Sequence, residues 1–123
     1  MSFKDKDWRV RIDDMLEALS RCQRYTEGMN ELSFIADSRT IDAVARNLEI
    51  IGEAANKVPD DITAAHPMIP WAALAEIRHI LIHEYHSVDA SLLYRTVRYD
   101  LTPLQPLLMA VLGPEHPHPP AAP

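Results

Sequence analysis

Residues 37–58, "DSRTIDAVARNLEIIGEAANKV", have the pattern of a long amphipathic helix. Apolar side chains recur there every three or four residues and therefore share one helix face. Asp37 or Ser38 is suited to cap the amino end through its side-chain oxygen. Gly52 costs about 1 kcal/mol relative to alanine within a helix, so we expect a second helix to approach closely there. The predicted buried residues are Ile41, Val44, Ala45, Leu48, Ile51, Ala55 and Val58.

The segment before this helix has the same helical spacing. It ends near Gly28 and Asn30, and a residue in the left-handed conformation commonly closes a helix at such a place. We therefore predict an amphipathic helix that packs on residues 37–58. Its buried face is predicted to contain Trp8, Ile12, Met15, Leu16, Leu19 and Cys22.

Three further helices are predicted after a proline-bounded connector at residues 59–70, which has room for one short helical turn. The first runs from about Pro70 to His86, because proline is well tolerated in a first helical turn. Asp89 or Ser87 caps the next one. Pro103 and Pro106 then break the helix before a last apolar turn, "LLMAVL".

These segments predict an all-α fold, an up-and-down bundle of four long helices and a shorter fifth. The bundle would occupy residues 1–112 as one domain. Residues 113–123, "GPEHPHPPAAP", are predicted to form a disordered proline-rich tail.

Composition restricts the classes of function. No apolar run approaches the roughly 20 residues that span a bilayer, so we expect no membrane partner. Cys22 is the single cysteine. We therefore expect a cytoplasmic protein in which this thiol is buried. The net charge of −6 argues against non-specific binding of nucleic acid. Any RNA site must then have local positive charge, for which Arg95 and Arg98 are candidates.

Residues 75–89, "AEIRHILIHEYHSVD", crowd titratable groups onto one helical segment. At about 100° per residue, Arg78 and Tyr85 fall in the middle of the apolar arc rather than on the solvent side. A guanidinium there needs a carboxylate, a phosphate or a second protein surface, because an unpaired buried charge is very costly. Glu49 and Glu53 are candidates for a structural ion pair with Arg78. The apolar arc contains Trp71, Leu74, Leu81 and Ile82.

His79, His83 and His86 form a second stripe along the same helix. Two imidazoles at positions i and i+4 could bind zinc, but Glu76 is the one adjacent carboxylate at helical spacing. His83 can move a proton near neutral pH, whereas Arg78 is shaped to hold a phosphate. The two side chains diverge by about 140° around the helix axis, so one helix alone does not bring them together. Two copies of the helix that face each other across a two-fold axis would place them in one shared cleft.

The stretch "IRHILIHEY" resembles the signature of the HEPN superfamily: an arginine, a polar residue, three residues, a histidine, any residue and a tyrosine. Within that superfamily the chain is similar to the HepT toxins. The resemblance extends over roughly residues 8–112 and includes a tryptophan seven residues before the arginine. It is carried by "FIADSRTIDAVARNLEIIGEAANKVPDDI", "IPWAALAEIRHILIHEYHSVD" and "DLTPL".

The resemblance implies a homodimer in which the signature helices meet. It also implies a metal-independent endoribonuclease without a cofactor. Such an enzyme would be the toxin of a type VII toxin–antitoxin system. Arg78 would hold the scissile phosphate and His83 would act as general acid or base. His79 occupies the polar position after the arginine. Independently of the resemblance, Glu53 is a candidate supporting partner of Arg78. Tyr85 matches the tyrosine that a minimal nucleotidyltransferase antitoxin of the MntA type modifies with AMP, which would exclude RNA.

Three other interpretations remain open at the level of sequence. The chain could be a catalytically weak binding module that serves as partner or substrate of a nucleotidyltransferase. It could be a metal-binding helical protein that uses His79, His83 and His86. It could also be a structural bundle in which Arg78 only pairs with a carboxylate.

Overall fold

The computed structural model describes residues 7–113, which form seven α-helices and no strand. The long helices are α1 (Trp8–Tyr25), α3 (Ser38–Asn56) and α5 (Trp71–Glu84), and two short ones are α2 (Glu31–Ile35) and α4 (Asp60–Ala65). A 3₁₀ turn (Tyr85–Ser87) follows α5, and α6 (Ala90–Arg95) continues as a π-helix (Thr96–Leu101) before α7 (Leu104–Leu112). The predicted tail lies, from residue 114 on, outside the described residues.

The all-α prediction is confirmed for this part of the chain. Asp37 caps α3 by accepting a hydrogen bond from the Thr40 amide, and Asp89 caps α6 in the same way from Ser91. Gly28 has φ = 76°, the left-handed conformation expected beyond α1. The predicted termini of the long helices are therefore largely correct, although α5 ends at Glu84 and not at His86.

Helix α3 lies at the centre of the bundle because it packs against both α1 and α5. The apolar stripes predicted for α1 and α3 are buried, with Trp8 and Ile41 only partly covered. Cys22 is fully buried, and this burial raises the pKa of its thiol to about 12. No described helix is long and apolar enough to cross a membrane.

The sequence pattern does not predict α2. Asn30 and Ser33 form a reciprocal capping box at its start. Its Phe34 is fully buried, with the ring centroid 5.5 Å from that of Tyr94. The Tyr94 hydroxyl donates to the Met29 carbonyl at 2.8 Å. Five residues are too few to show a helical period, so this helix depends on its cap and on one buried ring.

The π-helix also departs from the expected regular helix. Pro103 follows it and has no N–H to continue an α-helical ladder. The Thr102 hydroxyl instead donates to the Val97 carbonyl at 3.0 Å. This side-chain hydrogen bond gives the Val97 carbonyl a partner five residues further along the chain.

The crossing of α3 and α5 occurs at Gly52, as predicted from the cost of a glycine inside a helix. A Cβ atom placed on Gly52 would lie 2.5 Å from the Cβ of Arg78 and 2.6 Å from the carbonyl oxygen of Leu74. The two backbones can approach this closely only because residue 52 has no side chain. Gly52 therefore determines where the Arg78 side chain starts relative to α3.

Candidate active site

The Cβ atom of Arg78 faces Gly52 at the closest approach of α3 and α5, and the rest of the side chain extends from there toward the surface. Leu74 and Leu81 are buried, whereas the Arg78 side chain is 39% exposed and Ile82 is 47% exposed. Arg78 therefore starts on the α3-facing side of α5, as the helical angles predict, but its charged end is only partly buried. The physical reason is that α5 has α3 as its principal neighbour, so only part of its apolar arc is covered.

Glu53 of α3 is the carboxylate partner of Arg78. The Nε atom of Arg78 lies 2.5 Å from Oε2 of Glu53, and the Nζ atom of Lys57 lies 2.8 Å from Oε1. The hydrogen bond from Lys57, together with the charges of Arg78 and Arg11, lowers the pKa of Glu53 below its usual value. Glu53 is thus ionised at neutral pH and holds the Arg78 side chain in place.

Arg78 stands between two grooves. The first, which we call the inner groove, runs between α1, α3 and α5 from Arg11 past Arg46 and Arg78 to Tyr85. The second, the outer groove, is on the far side of α5, where Arg78 and His79 share it with small side chains. Its other lining residues are Asn56, Ala72, Ala75 and Glu76.

Tyr85 lies at the end of the inner groove, where its ring packs partly against the core. Its hydroxyl donates a hydrogen bond to Oδ1 of Asp42 on α3. This hydrogen bond, followed by partial burial and the charges of Asp42 and Glu49, raises the pKa of the phenol to about 12. The Tyr85 hydroxyl is therefore protonated at neutral pH.

His79 and His83 lie on the exposed side of α5, and His86 is exposed in the 3₁₀ turn that follows. The ring centroids of His79 and His83 are 4.5 Å apart, and that of His86 is 6.0 Å from the Tyr85 ring. Within residues 7–113, no three His, Cys, Asp or Glu side chains are grouped so that they could hold a metal ion. The zinc site considered from His79, His83 and His86 is therefore not formed.

The structure brings together some of the predicted site residues and separates others. Arg78 contacts Glu53 and shares the outer groove with His79, whose ring touches that of His83. His83 itself lines neither groove. Within one protomer, Arg78 and His83 therefore lie on different sides of α5.

Sequence reasoning missed Asp42 and Arg46. With Glu49 and Glu53 they form a polar stripe on α3 at positions i, i+4, i+7 and i+11, which is one helix face. Arg46 lies 3.4 Å from Glu49 and lines the inner groove. The charged spacing on α3 was the signal that could have identified this face.

Comparison with known proteins agrees with the resemblance. The HepT-like family, described as "Ribonuclease HepT-like", matches residues 15–111. The chain is 39% identical over 94 residues to "Probable ribonuclease HepT" of Thermococcus cleftensis, covering 76% of this chain and 86% of that protein. A "Putative RNase" of Methanocaldococcus jannaschii is 36% identical, with 78% of this chain and 79% of that protein covered. Another, of Caldanaerobacter subterraneus subsp. tengcongensis, is 31% identical, with 87% and 96% covered.

No solved structure shows a significant match to the chain. The family match covers α3, α5 with its signature, and α1 from Met15 onward. The chain therefore belongs to the ribonuclease HepT-like family.

Proposed function

We propose that this protein is an endoribonuclease toxin that acts as a homodimer without a metal ion. The observation that carries the proposal is the position of Arg78. It stands between two open grooves and shares one of them with His79, whose ring contacts the exposed imidazole of His83. Membership of a ribonuclease family supports the same reaction.

The side chains suit cleavage of RNA by its own 2′-hydroxyl. In that reaction the 2′-oxygen attacks the phosphorus, the bond to the 5′-oxygen breaks, and a 2′,3′-cyclic phosphate is left. His83 would transfer a proton at one of the two oxygens. Arg78, held by Glu53, would stabilise the charge that develops on the phosphate.

The directions of the two residues support the proposed homodimer. Arg78 lies toward α3, whereas His83 is exposed on the other side of α5. That exposed side also carries Ala72 and Ala75, and small residues permit close approach of a second helix. A two-fold axis there would place Arg78 of one protomer near His83 of the other.

The inner groove is the proposed path of the RNA backbone beyond the scissile phosphate. Arg46, whose side chain is 70% exposed, and Arg11 line it beside Arg78. Arg95 instead lies 3.7 Å from Glu31, and neither it nor Arg98 lines the inner or outer groove. A role of Arg95 and Arg98 in binding RNA stays a prediction.

Arg46→Ala is expected to weaken RNA binding. A plot of the logarithm of the association constant for RNA against the logarithm of the salt concentration should become less steep by about 0.7, the contribution of one contact with a single-stranded phosphate. Arg39→Ala is the matched control, because Arg39 is exposed on the same helix and lines neither part of the inner groove. Affinity measured at several salt concentrations checks both variants. Equal losses in the two variants would contradict this path.

We further propose that Tyr85 is the site at which a minimal nucleotidyltransferase antitoxin attaches AMP. The hydroxyl is at the end of the inner groove. A phosphate and an adenine attached there would occupy the groove and compete with RNA. This modification would neutralise the toxin.

The second candidate function is a catalytically weak binding module that is only the partner or substrate of such a transferase. The Arg78–Glu53 ion pair favours it, because this pair is also compatible with a purely structural arginine. Arg78→Met separates the two candidates. We expect the free energy of unfolding to change by no more than about 1 kcal/mol, because the pair is partly exposed, while RNA cleavage is lost.

Cleavage assays in EDTA and chemical denaturation measure these two quantities on the same preparation. Glu53→Gln is a useful companion variant, because it keeps the shape of the side chain but removes the charge that holds Arg78. Wild-type protein that cleaves no RNA at any concentration, together with an Arg78→Met protein of unchanged stability, would favour the binding module.

A further inference from the structure

Asp42 is the residue in direct contact with the tyrosine hydroxyl that we propose is modified. The Tyr85 hydroxyl donates to Oδ1 of Asp42, and both side chains line one section of the inner groove. This section is an open depression of about 420 Å³. A nucleotide can therefore reach the hydroxyl while it is hydrogen-bonded to Asp42.

The chemistry of AMP transfer requires that the phenol lose its proton. The hydrogen bond to Asp42 raises the pKa of Tyr85 to about 12, so the phenolate is not formed in advance at neutral pH. The proton must then leave as the oxygen attacks. In protein kinases an aspartate accepts the proton of the attacking hydroxyl in this way.

We infer that Asp42 is the general base for modification of Tyr85, an inference that rests on the proposed modification of this residue. The Oη atom of Tyr85 attacks the α-phosphorus of a nucleoside triphosphate bound by the transferase. The Oη–phosphorus bond forms, the bond to the β-phosphate oxygen breaks, and pyrophosphate leaves with the electron pair. The phenolic proton passes to Oδ1 of Asp42, which later releases it to solvent.

The contact between Tyr85 and Asp42 cannot survive the reaction. The modified oxygen has no hydrogen to donate, and the new phosphodiester is anionic beside the carboxylate of Asp42. Repulsion between the two charges would drive the phosphate away from Asp42. Arg46 lines the same section of the groove and is the cation placed to receive it. The nucleotide would then lie along the inner groove.

The test compares Asp42→Asn with Glu49→Gln in the full chain. Both changes remove one negative charge from the groove section beside Tyr85, but Glu49 lies there without the hydrogen bond that Asp42 accepts from Tyr85. Transfer of label from ATP labelled at the α-phosphate is measured with the cognate nucleotidyltransferase. We expect Asp42→Asn to slow labelling about 100-fold or more, as for loss of a general base, and Glu49→Gln to change it only a few-fold.

The pH dependence of the labelling rate distinguishes a general base from a residue with only a structural role, because loss of a structural residue would not alter this dependence. Without a base, attack depends on ionised Tyr85, so the ratio of the Asp42→Asn rate to the wild-type rate should rise with pH by about tenfold per unit. A thermal melt shows that the variant is folded. A ratio that does not change with pH, or equal effects of the two substitutions, would overturn the assignment of Asp42. Wild-type protein that takes up no label on Tyr85 would instead overturn the proposed modification, and with it the role of Asp42.

Discussion

His83→Ala should lower the rate of RNA cleavage by about 10²–10⁴-fold, the usual contribution of a general acid or base. The side chain is exposed on α5 and its ring contacts His79. Its removal should therefore leave the packing of α5 on α3 unchanged. Cleavage is measured in EDTA with purified protein, and the state of the dimer is measured by light scattering on the same sample.

His86→Ala is the matched control for this loss. His86 is also exposed, but it lies in the 3₁₀ turn next to Tyr85. We expect its replacement to leave cleavage within a few-fold of wild type, because it is not the signature histidine. Cleavage that persists unchanged in a dimeric His83→Ala protein would remove the catalytic assignment of His83.

Gly52→Ala should destabilise the protein by about 3 kcal/mol or more, at the upper end for an overpacked core position. The added methyl group would lie 2.6 Å from the Leu74 carbonyl oxygen, a backbone atom that cannot rotate away. α3 and α5 must then separate, which also displaces Arg78. The intrinsic preference of helices for alanine offsets only about 1 kcal/mol of this cost.

Urea denaturation of Gly52→Ala and of Arg39→Ala measures the effect against a matched substitution on the same helix. Arg39 is exposed in the first turn of α3, so its replacement should change the free energy of unfolding by about 0.5 kcal/mol or less. A Gly52→Ala protein as stable as wild type would show that the helices do not approach as closely as described.

The long helices could be predicted because their apolar residues repeat over several turns and their ends carry strong signals. Asp37 and Asp89 illustrate this, since each caps the helix that it precedes in sequence. α2 could not be predicted from periodicity, because five residues complete little more than one turn. It is held by the contact of Phe34 with Tyr94, a residue far away in sequence.

The sequence was enough to locate the candidate site on α5, but not to predict which side chains are exposed or which residues of other helices they contact. Helical angles place Arg78 among apolar residues, yet they do not say how much of the circumference of α5 is covered by its neighbours. Because α3 is the main neighbour, the guanidinium of Arg78 extends past the contact and pairs with the partly exposed Glu53. The contact of Tyr85 with Asp42 joins two helices, so no spacing within one segment reveals it.

The central claim is that Arg78 of one protomer acts with His83 of its partner, and mixing of inactive subunits tests it most directly. Arg78→Ala and His83→Ala proteins with different affinity tags are co-expressed, and the heterodimer is isolated by two successive purifications. It contains one cleft with both side chains intact across the two-fold axis, so we expect about half of the wild-type RNA cleavage activity. A heterodimer as inactive as its two parents would contradict the shared site.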